Sequence, residues 1–259
     1  MTVLLATDGS TGMASKMPDL SLISRPSPNH DSRNGQAVDM LVMHYTDMLV
    51  AEDSVALLCA PESKVSAHYV VAEDGRVFQL VEESERAWHA GESHWRGFNN
   101  INARSIGIEI CNPGHGHGYA DFPMVQMEAV AALSQAILTR HTIPARNVQG
   151  HSDIAFLRKK DPGEKFNWRW LAARGIGIFP DAPTKLTASP LQRGDKGEIV
   201  MRLQQRLSSW GYGLKTDGDY GEKTEQCVIA FQRHYRPESL DGVWDEECAG
   251  LLAALHGLV

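Results

Sequence analysis

The sequence predicts an α/β fold, a central mixed β-sheet flanked by helices, followed by a small three-helix C-terminal domain. Three observations carry that prediction. Apolar runs of strand length alternate with a helix-period segment through residues 34–180. The triplet Glu73-Asp74-Gly75 lies between two of those runs and reads as a hairpin turn. Beyond the Pro-containing stretch 181–190, the pattern becomes wholly helical. The chain therefore divides into an irregular arm at 1–33, an α/β domain at 34–180, a linker at 181–190 and a helical domain at 191–259.

Residues 1–33 are rich in Ser, Pro, Asp and Asn without a sustained period, so no regular element is expected there. Val38-Asp39-Met40-Leu41-Val42-Met43-His44 is apolar on both faces, as a central strand is. Strands are also expected at 68–72, 76–81, 105–111 and 147–150. Residues 122–141 repeat Met127, Val130, Leu133, Ile137 and Leu138 at helical spacing, with Pro123 suited to the first turn. Three apolar stripes define the C-terminal helices. They are Ile199, Leu203, Leu207 and Trp210; Val228, Phe231 and Tyr235; and Leu251, Leu252 and Leu255. Asp217-Gly218-Asp219-Tyr220-Gly221 and Asp241-Gly242-Val243-Trp244-Asp245 form an internal repeat, each copy opening a helix. The Asp-Gly turn reverses the chain and the aromatic packs beneath the next helix. The first copy lacks the ligand ladder and final Glu of a calcium loop.

Composition narrows the function classes. With 259 residues, 42% hydrophobic and 22% charged, the chain is an ordinary globular protein large enough to need no covalent staple. A net charge of −7 argues against nucleic acid and anionic membrane surfaces as partners. No stretch reaches the roughly 20 apolar residues of a membrane span. The four cysteines, Cys59, Cys111, Cys227 and Cys248, lack CxxC spacing and read as free buried thiols. Cys227 and Cys248 could pair in an exported protein. Residues 3–6 are apolar, but neither a basic n-region nor a long apolar core accompanies them. A cytoplasmic location is expected on that ground.

The chemistry concentrates in four places. His44 ends a buried strand on the side of Met40 and Val42, where an imidazole projects from the sheet edge or simply packs. His151 follows the strand at 147–150, and Pro162-Gly163 turns the chain just after Asp161, so that this carboxylate can fold back toward His151. Two imidazoles and one carboxylate make an open three-ligand zinc site that leaves a position for water. In Ser105-Ile106-Gly107-Ile108-Glu109-Ile110 the isoleucines share one face, leaving Glu109 beside Gly107 on the other. A carboxylate there is either ion-paired or functional, and Gly107 leaves room for a ligand. His115 and His117 could grip a metal, but the Gly-rich context reads as a mobile loop. No Gly-x-Ser-x-Gly elbow and no phosphate loop is present.

Five segments occur in one order: Met43-His44-Tyr45-Thr46, Val65-Ser66-Ala67-His68-Tyr69, Ala87-Trp88-His89-Ala90-Gly91, Ser105-Ile106-Gly107-Ile108-Glu109, and His151-Ser152-Asp153-Ile154-Ala155 leading to Lys159 and Asp161-Pro162-Gly163. Together they resemble the zinc-dependent N-acetylmuramoyl-L-alanine amidases of the AmpD/AmiD type, which share the fold of peptidoglycan recognition proteins. The resemblance covers residues 34–180. The C-terminal segment around Ala230-Phe231-Gln232-Arg233-His234-Tyr235 resembles a peptidoglycan-binding domain. The resemblance implies that His44, His151 and Asp161 bind Zn2+, that Glu109 is the general base and that Lys159 stabilises the oxyanion. It also implies that Tyr45, Lys64, His68, Trp88 and His89 line the substrate groove. This sequence departs from the family at Phe156-Leu157, where Pro commonly follows Ala155, and at Lys64, where some members carry Arg.

The implied reaction is hydrolysis of the amide joining N-acetylmuramic acid, or its 1,6-anhydro form, to L-alanine, acting on muropeptides or on the polymer in cell-wall recycling or turnover. A monomer is expected, without nucleic-acid partners or membrane insertion. The alternative is a non-catalytic peptidoglycan-binding receptor, a class that commonly lacks a zinc ligand. The C-terminal module favours polymer in the periplasm, the alternative location.

Overall fold

The computed structural model describes residues 21–259. In chain order they form β1 (Leu22–Ser24), β2 (His30–Ser32), β3 (Met40–Tyr45), α1 (Ala51–Cys59), β4 (Tyr69–Val71), β5 (Val77–Gln79) and β6 (Glu85–Ala87). Next come α2 (Ile101–Arg104), β7 (Ser105–Ile110), α3 (Met124–Arg140), β8 (Val148–Gly150), α4 (His151–Ile154) and α5 (Trp168–Ala172). The C-terminal module is α6 (Glu198–Trp210), α7 (Glu222–Tyr235) and α8 (Glu246–Gly257).

Six strands make one mixed sheet in the order β1-β5-β4-β7-β3-β8, while β2 and β6 pair separately and antiparallel. The core strands β4, β7, β3 and β8 run parallel, and the β4–β5 hairpin supplies the one antiparallel neighbour. Gly75, at φ +86°, makes the hairpin turn. β3 is buried on both faces, Leu41 and Met43 joining one apolar cluster and Met40 and Val42 another. Leu41, Met43, Ile106, Ile108 and Ile110 meet Met127, Val130, Leu133 and Ile137 of α3 on one face. α1 joins Ala67, Val70 and Phe78 in a further apolar cluster through Val55 and Leu58. The face carrying Met40 and Val42 continues into the C-terminal module through Trp95, Ile154, Leu207, Tyr212, Phe231 and Tyr235, one uninterrupted apolar cluster. The α/β fold and the three helices are as the sequence predicts.

Three local expectations are corrected. Residues 1–20 of the arm lie outside the described residues, but 21–33 are not irregular: they form β1 and β2. Strands of three residues offer too few positions for a period to be read, and pairing with β5 and β6 is what orders them. Arg33, at the end of this segment, is 6% exposed and donates to the carbonyls of Glu83, Ala103 and Ser105 at 2.8–2.9 Å. Burial pulls its pKa down to about 10, with Glu83 and Glu85 opposing. In α6 the inward residue is Val200 rather than Ile199, which is 54% exposed. The His115 segment is a hydrogen-bonded turn, with the imidazole stacked on Tyr119 at 4.4 Å.

In the module, each half of the internal repeat is pinned by a glutamine from the preceding helix. Gln204 donates to Asp217 and accepts from the Gly218 amide, and Gln232 treats Asp241 and Gly242 in the same way. Tyr220 and Trp244 are buried beneath, as expected. All four cysteines are free thiols, and Cys227 and Cys248 are fully buried in the module core.

Candidate metal centre and active site

The site lies at the carboxyl ends of the parallel strands, the position at which open α/β sheets present ligands. His44 is the fifth residue of β3, and its register partner on β7 is Glu109. Register partners on adjacent strands point to the same face about 4.8 Å apart, so the sheet itself sets the imidazole beside the carboxylate. His151 opens α4 directly after β8, the strand on the other side of β3. Asp161 is returned to it by the loop 155–161, whose end is fixed by the Ser152 amide donating to the Asp161 carbonyl at 2.8 Å.

Three atoms converge. His44 Nδ1 and His151 Nδ1 are 2.9 Å apart, and Asp161 Oδ2 lies 3.1 Å from the first and 2.9 Å from the second. Among the described residues, this is the one group of three or more His, Cys, Asp or Glu side chains close enough to share an ion. Their outer hydrogen bonds fix the tautomers. His151 Nε2 faces the Ala90 carbonyl, an acceptor only, at 3.0 Å, nearer than the Arg158 guanidinium at 3.3 Å, so it carries the hydrogen and Nδ1 is a bare lone pair. His44 Nε2 meets His89 Nδ1 at 3.0 Å, His89 Nε2 meets Ser105 Oγ at 3.1 Å, and that hydroxyl donates to the Ile101 carbonyl at 2.7 Å. The relay ends on an obligatory acceptor, so every hydrogen in it points outward and His44 Nδ1 is bare as well. Two nitrogen lone pairs and a carboxylate thus face one another with no hydrogen to share, an arrangement that repels unless a cation sits between them. The edges of this triangle are a few tenths of an ångström below the roughly 3.3 Å expected around a tetrahedral zinc. The donor set fits the ion.

Electrostatics agree. Burial, then the neighbouring His151, pulls His44 down to about 4, against the pull of Asp161. Asp161 is pushed up by burial, but the two imidazoles outweigh that and hold it well below the carboxylate range. Both are therefore in the form that binds a metal at neutral pH. Glu109 shows the opposite shift: burial, and then the Asp161 carboxylate, raise it well above the usual range, with Lys159 opposing. Its Oε2 is sealed from solvent without a partner.

A cleft of about 450 Å³ opens over these groups. Tyr45, Trp88, His89, Glu109, His151, Lys159 and Asp161 line it, so the structure brings seven of the sequence-derived candidates together. The metal candidate His44 lies just beneath it, 1% exposed. Two expected wall residues are elsewhere. His68 is fully buried just ahead of β4, its ring 5.7 Å from that of His89, accepting from the Gly107 amide at 3.0 Å and lying 3.1 Å from the Glu85 carbonyl. A strand-end histidine preceding an aromatic carries no sign of which side of the sheet it occupies. Lys64 is exposed at φ +56° and stands outside the lining, although the next residue, Val65, belongs to it. His89 reaches the cleft but supports His44 from behind. The space beside Gly107 is filled by its ring: a Cβ on Gly107 would lie 2.5 Å from His89 Cγ.

Sequence reasoning missed the outer wall. His115 lines the cleft, bonded to Tyr45 Oη at 2.9 Å and to Glu164 at 3.1 Å. Arg158 also lines it, with its guanidinium donating to the Glu92 carbonyl. The Gly-His-Gly-His-Gly run marked His115 and the resemblance marked Tyr45, but nothing local marked Glu164.

Comparison with known proteins follows the same division of the chain. A family model described as N-acetylmuramoyl-L-alanine amidase matches residues 34–164, and one for a peptidoglycan binding domain matches residues 196–252. The chain is 36% identical over 232 residues to the N-acetylmuramoyl-L-alanine amidase AmiD of Escherichia coli, covering 84% of this chain and 82% of that one. A solved complex of that enzyme with anhydro-N-acetylmuramic acid-L-Ala-D-gamma-Glu-L-Lys superposes with a TM-score of 0.76 at 34% identity, over 90% and 93% of the two chains. AmpDh3 of Pseudomonas aeruginosa, solved with an anhydromuramic pentapeptide, gives 0.71 at 30% identity over 98% and 99%. Among the described residues, no helix is long and apolar enough to cross a membrane.

Proposed function

The chain belongs to the N-acetylmuramoyl-L-alanine amidase family, and from that premise we propose that it cleaves the amide between the lactyl carboxyl of N-acetylmuramic acid, in its 1,6-anhydro form or in the polymer, and the L-alanine of the stem peptide. The observation that carries the reading is the convergence of His44 Nδ1, His151 Nδ1 and Asp161 Oδ2 beside the unpartnered Glu109 carboxyl. The two muropeptide complexes of similar proteins support the substrate class.

His44, His151 and Asp161 would hold zinc, which supplies Lewis acidity for the scissile carbonyl and brings the pKa of water at the site to about 7. Glu109 accepts the proton of the attacking water as the C–O bond forms. Its raised pKa suits a base that must afterwards act as an acid. The same carboxyl then delivers that proton to the alanine nitrogen as the C–N bond breaks, leaving a lactyl carboxylate and a free amine. Lys159, on the rim, offers a fixed positive charge to the carbonyl oxygen as it gains negative charge. Trp88 and Tyr45 give the cleft flat walls against which a saccharide or peptide can lie.

Release of stem peptide from an anhydromuropeptide by the purified chain tests the reading, and chelation should abolish it. In Glu109→Gln the zinc should remain while kcat falls by about 10²-fold or more. A variant that turns over like the wild type would remove Glu109 from this role. Retained muropeptide binding without any cleavage by the zinc-loaded wild type would favour the receptor alternative. Assaying wall polymer beside the soluble fragment, together with fractionation of the native protein, separates turnover in the periplasm from recycling in the cytoplasm.

A further inference from the structure

Asp153 is 1% exposed and sits two residues after His151, yet it touches nothing in the cleft. One of its oxygens, Oδ2, accepts from the Gly150 amide at 2.9 Å, closing the turn that carries His151. The remaining partners come from the C-terminal module. Tyr212 Oη donates to Oδ1 at 2.8 Å, and His234 Nδ1 donates to Oδ2 at 2.8 Å. All of these atoms are buried, so no water can replace a missing donor without opening the interface.

Other contacts press on the same turn. The His234 ring stacks on Trp168 at 4.0 Å, and Trp168 lies against Gly150, where an added Cβ would stand 3.3 Å from its ring. The neighbouring residue on α7, Arg233, approaches Glu164 at 3.6 Å, three residues beyond Asp161. One face of α7 therefore braces both the turn bearing His151 and the loop that returns Asp161. A wall-binding module joined only by a tether would make none of these contacts.

We infer that the C-terminal module is a structural part of the metal centre, and that Tyr212 and His234 are positioning residues acting on His151 through Asp153. The inference rests on the reading of His151 as a metal ligand. It goes beyond that reading in assigning to the module a task other than holding polymer. The module orders the ligand set before the ion arrives, so metal affinity depends on docking more than forty residues beyond the last ligand.

The test uses the full chain. Tyr212→Phe removes one donor, and His234→Phe removes the other while keeping a ring between Trp168 and Tyr235. Leu252→Ala, in the module core away from Asp153, controls for loss of module stability. Three quantities are read: zinc retention against a competing chelator, the visible spectrum of the cobalt-substituted protein, and hydrogen exchange at the amides of residues 150–153. Each Phe variant is expected to lose up to about tenfold in zinc affinity, the low end of the roughly 10–100-fold range for groups bonded directly to a metal ligand, because these side chains act one contact further out. The cobalt bands should shift and the turn amides should exchange faster. Leu252→Ala should lower the melting temperature and leave all three readouts unchanged. The proposal is overturned if the Phe variants keep the wild-type zinc affinity, cobalt spectrum and exchange rates, or if Leu252→Ala changes them equally. Should the wild type take up no metal, the ligand reading fails, and amide exchange at 150–153 alone decides whether the module orders the turn.

Discussion

Gly107→Ala is the substitution through which the support of His44 can be measured most directly. A methyl group at that position would stand 2.5, 2.6 and 2.7 Å from Cγ, Nδ1 and Cδ2 of His89. Non-bonded carbon atoms rest about 3.5–4.0 Å apart, so the ring must retreat by about 1 Å. The bond from His44 Nε2 to His89 Nδ1, now 3.0 Å, does not survive that retreat. Overpacking costs about 1–3 kcal/mol, and the lost hydrogen bond adds about 1 kcal/mol. The sum, about 2–4 kcal/mol, corresponds to a drop of roughly 4–8 °C in Tm for a protein of this size. Freed of its acceptor, the His44 hydrogen is no longer held on Nε2 and can move to Nδ1, and zinc affinity should fall about 10–100-fold. Calorimetry with and without chelator reads the first effect and competition for zinc reads the second. Gly116→Ala, with nothing within 4 Å of the added methyl, is the control. A Gly107→Ala protein matching the wild type in both assays would refute the relay from His44 through His89 to Ser105.

Two further outcomes are expected. Lys159→Met should keep zinc and fold while kcat falls about 10²–10³-fold, the range for loss of one oxyanion-stabilising group; single-turnover kinetics checks it, and an unchanged rate excludes the side chain from that task. Glu83 reports on acid stability. Burial raises its pKa, but donation from Arg140, Tyr69 and His141 outweighs that and holds it at about 2. A carboxyl depressed in the folded state stabilises above its unfolded pKa and ceases to do so as pH falls through the folded value. With the Arg140 side chain 47% exposed, the full linkage of about 3 kcal/mol is screened to about 1–2 kcal/mol. The urea-midpoint difference between the wild type and Glu83→Gln should therefore be largest near pH 6 and vanish near pH 2, and a pH-independent difference would contradict the assignment.

Much of the site was legible because its residues sit on period-two strands. The alternation of Ile106, Ile108 and Ile110 against Gly107 and Glu109 already told which side Glu109 occupies. Pro162-Gly163 told where the Asp161 loop must turn. Local sequence could not tell that His89 would fill the space at Gly107, or that His68 would be buried against the Gly107 amide. Both outcomes depend on β4 and β7 meeting in one register, a long-range fact. The Gln204 and Gln232 pins were likewise invisible, since each glutamine lies on the helix before the turn it holds and its spacing to that turn differs between the two copies. Asp153 was read only as part of a motif, because its partners lie fifty-nine and eighty-one residues away.

The Arg33 guanidinium bears on how this enzyme can be shortened. It plugs a socket of carbonyl oxygens from Glu83, Ala103 and Ser105, and the amidase family model begins one residue later. A fragment cut to that boundary would leave three main-chain acceptors stranded, at a cost of about 1–3 kcal/mol for each buried group. A catalytic piece that keeps this socket filled must therefore retain Arg33, although Arg33 itself lines neither the cleft nor the metal centre.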